Sequence, residues 1–260
     1  MISTVHYGYL TRGMNTSTRP IHLLLLATAI LGAAPLSGCL FDGPITCTDI
    51  PADQKASLMP PMDNSDPVIV QIDARFTPTQ VTSIQEAIAI WNAFGQTSLH
   101  RSFFEARIGS VGSGQAPTSV SDCDFGGSSD ADFHLIREDS ETQWKSLGLS
   151  DRNPGVTIRC RRGNSLAKQA VLINTRYSAP TQLTSIVLHE LGHAVGLDHS
   201  CVMDNGKPDY ASCFGLAEDH PYHVAVMYPS LRTGLSAESM EIKDTLQSND
   251  RERAQCLYQD

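Results

Sequence analysis

Eleven consecutive residues constrain this chain more than any others: His189-Glu190-Leu191-Gly192-His193-Ala194-Val195-Gly196-Leu197-Asp198-His199. Just before and within them, Leu183, Ile186, Val187, Leu191, Ala194 and Val195 recur at helical spacing. That pattern predicts a helix over residues 183–195, with Pro180 and Thr181 as start signals and Gly196 at its end. Residues four apart on a helix share a face, so His189 and His193 can aim their rings at one point. Neutral imidazole is a good zinc ligand, and three protein ligands leave a fourth position for water. His199 must return to that point from beyond the helix end. A left-handed turn does this, and glycine at position 196 adopts it without a Cβ penalty. Glu190 neighbours the first histidine, so its carboxylate reaches the water position rather than the metal, as a general base. The alternative is a surface helix with unrelated histidines. H-E-x-x-H alone is moderately specific, and the added glycine and third histidine make it much more so.

The rest of the chain reads as one α+β domain. Residues 68–73 read as a first strand. Residues 79–94 carry Val81, Ile84, Ala87, Ile88 and Trp91 at helical spacing, with Gly95 as a stop signal. Residues 103–108, 132–137, 156–160 and 170–174 read as further strands. Residues 110–129 are rich in Gly and Ser and predict a loop. Residues 138–155 predict an irregular excursion ending in the turn signal Asn153-Pro154-Gly155. A last helix is expected over residues 249–258. Arg159, Arg161 and Arg162 read as a solvated basic face.

The central segment resembles the zinc-binding motif of metzincin metallopeptidases. Val226-Met227-Tyr228-Pro229 resembles the Met-turn of that family, which puts Met227 beneath the metal as an apolar base. The Met-Tyr-Pro form is most similar to matrixins, the matrix-metalloproteinase-type branch. Astacins and serralysins place a metal-binding tyrosine two residues after the methionine; that position is Pro229 here, so Tyr228 is not expected to bind metal. The Ile88-x-x-Trp91 helix, Ala131-Asp132-Phe133, Val171-Leu172-Ile173-Asn174 and the final Leu257-Tyr258 are similar to further matrixin landmarks, so the likeness spans residues 67–260. It implies a twisted mixed five-stranded sheet with flanking helices, and an active-site helix followed by a Met-turn subdomain. It also implies one catalytic zinc on His189, His193 and His199, and a zinc endopeptidase activity with Glu190 as base. The implied substrate is protein or peptide, bound by strand addition along an edge strand near residues 131–137. The 199–227 interval is far longer than in compact matrixins and reads as an insertion containing Cys201, Cys213, His220 and His223.

Three smaller features stay open at this level. Asp122, Asp124, Asp130 and Asp132 form either a solvated loop or a hard-cation site, and the family's structural calcium makes Ca2+ the candidate ion. His134, in an expected strand, is either a half-buried or exposed histidine or part of a second, structural zinc site. Asp198 either orients a histidine ligand or has a capping or surface role.

Residues 21–35 are apolar, Arg12 and Arg19 precede them, and no acidic residue occurs before Asp42. That is the pattern of a secretory signal, and it is shorter than the roughly 20 residues of a membrane span. Leu36-Ser37-Gly38-Cys39 resembles the bacterial lipobox, so residues 1–38 are expected to be cleaved and Cys39 to carry lipid. The Asp-, Pro- and Ser-rich residues 39–66 then read as a tether, with the domain over 67–260. The protein would be exported and anchored to a bacterial membrane, facing periplasm or exterior. Seven cysteines less Cys39 leave an even six, which in an exported protein read as disulfides with fifteen conceivable pairings. The expected set is Cys201–Cys213, Cys123–Cys160 and Cys47–Cys256. Removing residues 1–38 leaves 17 Lys+Arg against 28 Asp+Glu, a formal charge of −11. So acidic a surface repels phosphate backbones and argues against nucleic acid as a partner. Two other functions compete with the endopeptidase: a catalytically silent surface lipoprotein that binds through its cleft, and an amidase acting on cell-wall peptides.

Overall fold

The computed structural model describes residues 3–7, 47–62, 66–109, 116–119, 122–123, 133–162, 165–178, 180–203, 208–231 and 241–259. Residues 8–46, with the apolar segment and Cys39, and also Asp124, Asp130 and Asp132, lie outside the described residues. Five strands make up the expected mixed sheet: β2 (Val68–Asp73), β3 (Phe104–Gly109), β4 (Phe133–Arg137), β5 (Gly155–Arg162) and β6 (Ser165–Ile173). A further strand, β1 (Ser3–Tyr7), pairs antiparallel on the outer side of β5. The strand order is β1-β5-β6-β4-β2-β3. β3, β2, β4 and β6 run parallel, and β5 is antiparallel to β6.

One expectation about this sheet is corrected. The strand near residues 131–137 is not an edge. β4 pairs with β2 on one side and β6 on the other. Its first four residues, Phe133 to Ile136, are all buried, as suits a parallel strand covered on both faces. The antiparallel strand β5 takes the edge position among the five strands from residues 68–173.

Alternation along the strands divides the core in two. Val70, Ile72, Leu135, Val171 and Ile173 face a large cluster built with α2 (Pro78–Leu99) and α4 (Leu183–Val195). Ile136, Val156, Ile158, Cys160, Ala170 and Leu172 face the other way. They pack with Trp144, Leu147 and Leu149, which come from the stretch expected to be irregular. That stretch contains a short helix, α3 (Glu141–Ser146), capped by the Ser140 hydroxyl, which accepts the Gln143 N–H. Six residues are too few to show helical periodicity, so the sequence pattern did not reveal this helix.

The helix α2 starts at a capping box between Thr77 and Gln80. It does not stop at Gly95 but runs to Leu99 and ends at His100, which is left-handed at φ 54°. Gly95 serves a close approach instead: a Cβ there would lie 2.6 Å from the Arg101 carbonyl oxygen and 3.0 Å from the Phe103 ring. Trp91, one turn earlier, donates from Nε1 to the Leu188 carbonyl at 3.0 Å and so locks α2 to α4.

All three expected disulfides are present: Cys47–Cys256, Cys123–Cys160 and Cys201–Cys213. The tether reading does not describe residues 47–62. They include the short helix α1 (Ala52–Ala56), bury Ile50, Gln54, Ser57 and Met62, and are bonded to the last helix, α6 (Ser248–Tyr258), through Cys47. The long interval before Met227 holds one helix among the described residues, α5 (Pro221–Val224), of four residues. Arg159 is likewise no solvated residue. It is buried, donates from Nη2 to the Pro60 carbonyl at 2.7 Å, and burial lowers its pKa to about 10.

Gly95→Ala tests the close approach. Alanine is the better helix former by about 1 kcal/mol, yet the clash with the Arg101 carbonyl is expected to cost a net 1–3 kcal/mol or so. Urea unfolding measures it, and a stabilised variant would contradict the packing.

Candidate metal centre

The helix α4 presents His189 and His193 one turn apart, both buried. Its C-cap is Gly196 at φ 119°, the left-handed conformation expected from the sequence. The chain therefore doubles back, and His199 arrives beside the other two rings. Ring centroids lie 4.8 Å apart for His189–His193, 4.9 Å for His193–His199 and 5.3 Å for His189–His199. One ring nitrogen of each residue lies within 4.8 Å of the others, and among the described residues no other group of His, Cys, Asp or Glu is placed to hold a metal.

The donor chemistry fits a zinc ion. His189 Nδ1 is 2.7 Å from the Val226 carbonyl oxygen, and His193 Nδ1 is 2.7 Å from that of Leu197. A carbonyl only accepts, so each Nδ1 carries the proton and each Nε2 keeps its lone pair. In the neutral imidazole this is the tautomer that ligates through Nε2, oriented by backbone as metal-binding histidines usually are. Three imidazole nitrogens converging on one point suit zinc. The three histidines and Gly196 fit the metzincin pattern H-E-x-x-H-x-x-G-x-x-H.

Each carbonyl and turn at the centre is itself held. Met227 is fully buried. A Cβ on Gly192 would collide with the Met227 sulfur, so the glycine inside the motif is what lets Met227 lie against the helix. Asp250, buried on α6, accepts the N–H groups of Val226 at 2.9 Å and Met227 at 3.1 Å. Burial raises its pKa, against these hydrogen bonds and the nearby Arg253. The Met227 carbonyl accepts the Ser200 N–H at 2.9 Å, next to the third histidine.

The loop to His199 is fixed from the other end of the chain. The Gly196 carbonyl accepts the Met59 N–H at 2.8 Å, and the Ser57 carbonyl accepts the Asp198 N–H at 2.9 Å. Arg253 donates from Nη1 and Nη2 to the Asp198 carbonyl, each at 3.0 Å. The Asp198 carboxylate accepts the His199 backbone N–H at 2.8 Å and the Tyr210 hydroxyl at 3.0 Å. Its distance to the His199 ring is 4.0 Å, so it anchors the backbone of His199 rather than the imidazole. Sequence reasoning missed Ser57, Asp250 and Arg253, which are far from the motif in the chain, and Tyr210, twelve residues after Asp198; none carries a pattern of its own.

Glu190 is buried, and burial pushes its pKa up to about 8, with a hydrogen bond from Thr157 acting the other way. The other sequence candidates lie elsewhere. His134 is buried in β4, apart from the metal-binding group. His220 caps α5 by accepting the Tyr222 N–H, and the His223 Nδ1 bonds the Glu218 carbonyl. Tyr228 stacks near His223 and under the Lys243 ammonium. Asp122 accepts from Thr118, both N–H and hydroxyl.

No family model matches the chain, and no curated protein sequence does. Among solved structures, the chain is similar to myroilysin at 13% identity and TM-score 0.39, over 80% of this chain and 84% of that one. It is also similar to high choriolytic enzyme 1, a hatching enzyme zinc-protease of the medaka fish Oryzias latipes. There the identity is 15% and the TM-score 0.36, over 79% of this chain and 96% of that one. At these scores the likeness decides nothing further, and the chain's own histidines carry the reading.

Asp250→Ala would leave two buried N–H groups without acceptors, at about 1–3 kcal/mol each. It would also loosen the Val226 carbonyl that aims His189. The expected result is lower stability together with zinc affinity weakened about 10- to 100-fold, read by urea unfolding and chelator competition. Wild-type zinc affinity in this variant would disconnect Asp250 from the centre.

Proposed function

We propose that this chain is a zinc-dependent endopeptidase of metzincin type, exported and held to a bacterial membrane by lipid on Cys39. The observation that carries the catalytic reading is the convergence of three imidazoles, two buried and one half-buried, with the buried Glu190 next to the first of them in the chain. His189, His193 and His199 are the residues that would hold zinc. The chemistry a bound zinc supplies is Lewis acidity toward a water and toward a scissile carbonyl.

The chain's own residues do the rest. Glu190 takes the proton of the attacking water and returns it to the leaving amine. Its burial keeps it basic enough for the first transfer, and a dication among the histidines would draw its pKa back down. The Val226 and Leu197 carbonyls hold two rings in the ligating tautomer, and Met227 closes the site from below as an apolar floor. The substrate is read as an extended peptide along the outer edge of β5. That edge accepts an antiparallel strand, as its pairing with Ser3–Tyr7 illustrates. Removal of residues 1–38 would vacate it. Met227-Tyr228-Pro229 is the feature that favours a matrixin-like branch.

Two measurements test this. Glu190→Gln is expected to keep zinc and fold while lowering casein hydrolysis by about 10²-fold or more, whereas His193→Ala is expected to lose the metal; hydrolysis at the parent rate in the first, or stoichiometric zinc in the second, would refute the assignment. For the anchor, Cys39→Ala should release the protein from the membrane fraction and abolish labelling by palmitate, and an unchanged distribution would exclude lipidation at that residue.

A further inference from the structure

We propose that Thr157 and Gly155 on β5 form a socket for the Glu190 carboxylate, with Thr157 as the positioning residue of the general base. The inference deepens the endopeptidase reading and rests on it. β5 crosses close to α4, and residues two apart on a strand face the same side, so Gly155 and Thr157 both look toward the helix. The Thr157 hydroxyl lies 2.7 Å from Glu190 Oε2 and 3.1 Å from the Glu190 carbonyl oxygen. A Cβ on Gly155 would lie 2.8 Å from Oε1, 3.0 Å from Cγ and 3.1 Å from Cδ of the same side chain. Gly155 is not among the positive-φ residues, so the glycine is required for space and not for backbone conformation. One position of β5 makes room for the carboxylate, and the next on that face supplies the hydrogen bond that holds it.

The strand itself is fixed. Thr157 pairs with Val171 and Gly155 with Ile173 in the antiparallel ladder. The Pro154 carbonyl just before the strand accepts the Asn174 N–H at 2.9 Å. Thr157 is fully buried, so water does not substitute for its hydroxyl. Both carboxylate oxygens thus meet β5: Oε2 accepts the Thr157 hydroxyl and Oε1 packs against Gly155. The socket sets the place of the base. It also couples the strand that would carry the peptide on its outer edge to the base on its inner face.

The test compares Thr157→Val, Thr157→Ser and Gly155→Ala in the zinc-loaded protein, with a quenched fluorescent peptide that the parent cleaves. Thr157→Val keeps the shape of the side chain and removes the hydroxyl. It is expected to lower kcat about tenfold or more with KM within about twofold and zinc content unchanged. Thr157→Ser restores the hydroxyl and should recover most of the loss. Gly155→Ala, at a position with ordinary backbone, should lower kcat by displacing the carboxylate. A Thr157→Val enzyme with parental kcat would overturn the proposal, and so would a serine variant as impaired as the valine one. Crystal structures of the zinc-loaded parent and Thr157→Val give a readout independent of turnover: the Glu190 carboxylate should move when the hydroxyl is removed, and an unmoved carboxylate refutes the socket. A parent that cleaves no peptide would sink the endopeptidase reading, while the crystal comparison would still decide the socket.

Discussion

Two imidazole rings are aimed by hydrogen bonds to backbone carbonyls, and much of the surrounding structure serves to keep those carbonyls in place. An imidazole on a helix has free χ angles and two nitrogens of either role. The bonds from His189 to Val226 and from His193 to Leu197 remove both freedoms. They fix the ring plane, and they fix the tautomer, because a carbonyl can only accept. Three nitrogen lone pairs are then brought together before any cation arrives, and the cost of ordering them is met during folding.

The two carbonyls are secured in different ways. Leu197 follows the left-handed Gly196, and the strand-like pairing of residues 57–59 with 196–198 holds that turn flat. A side chain at 196 would also run into Leu257, so glycine is demanded there by conformation and by space. Val226 belongs to the second bend, suspended from the buried Asp250 carboxylate. Asp250 and Arg253 sit on one helix and hold the two halves of the centre, one through Val226 and Met227, the other through Asp198. The Cys47–Cys256 disulfide ties that helix to the segment that supports Gly196. Both ends of the described domain thus converge beneath a site whose ligands come from its middle.

Much of the site was legible because it is local. Helical spacing puts His189 and His193 on one face whatever surrounds them, and Gly196 allows only a few ways for His199 to follow. The disulfides were legible through parity and through the nearness of Cys201 to Cys213. The edge strand was harder to read: an interior parallel strand and a half-buried one differ in burial on their second face, and burial is not written in five residues. Gly95 was misread for a related reason, since a glycine that makes room and a glycine that ends a helix look the same in one dimension.

The sequence by itself determined the helix, the convergence of three histidines and the place of Glu190 beside the first, because each depends on separations of one to ten residues and on the intrinsic geometry of a helix and a glycine turn. Tertiary structure alone decided that residues 47–62 are part of the domain, that Arg159 is buried, that Asp250 and Arg253 hold the centre, and that Thr157 meets Glu190. Those contacts join residues from 23 to 209 positions apart. Their partners are chosen by packing of the whole chain, and no local spacing encodes which distant carbonyl a buried guanidinium or carboxylate will find.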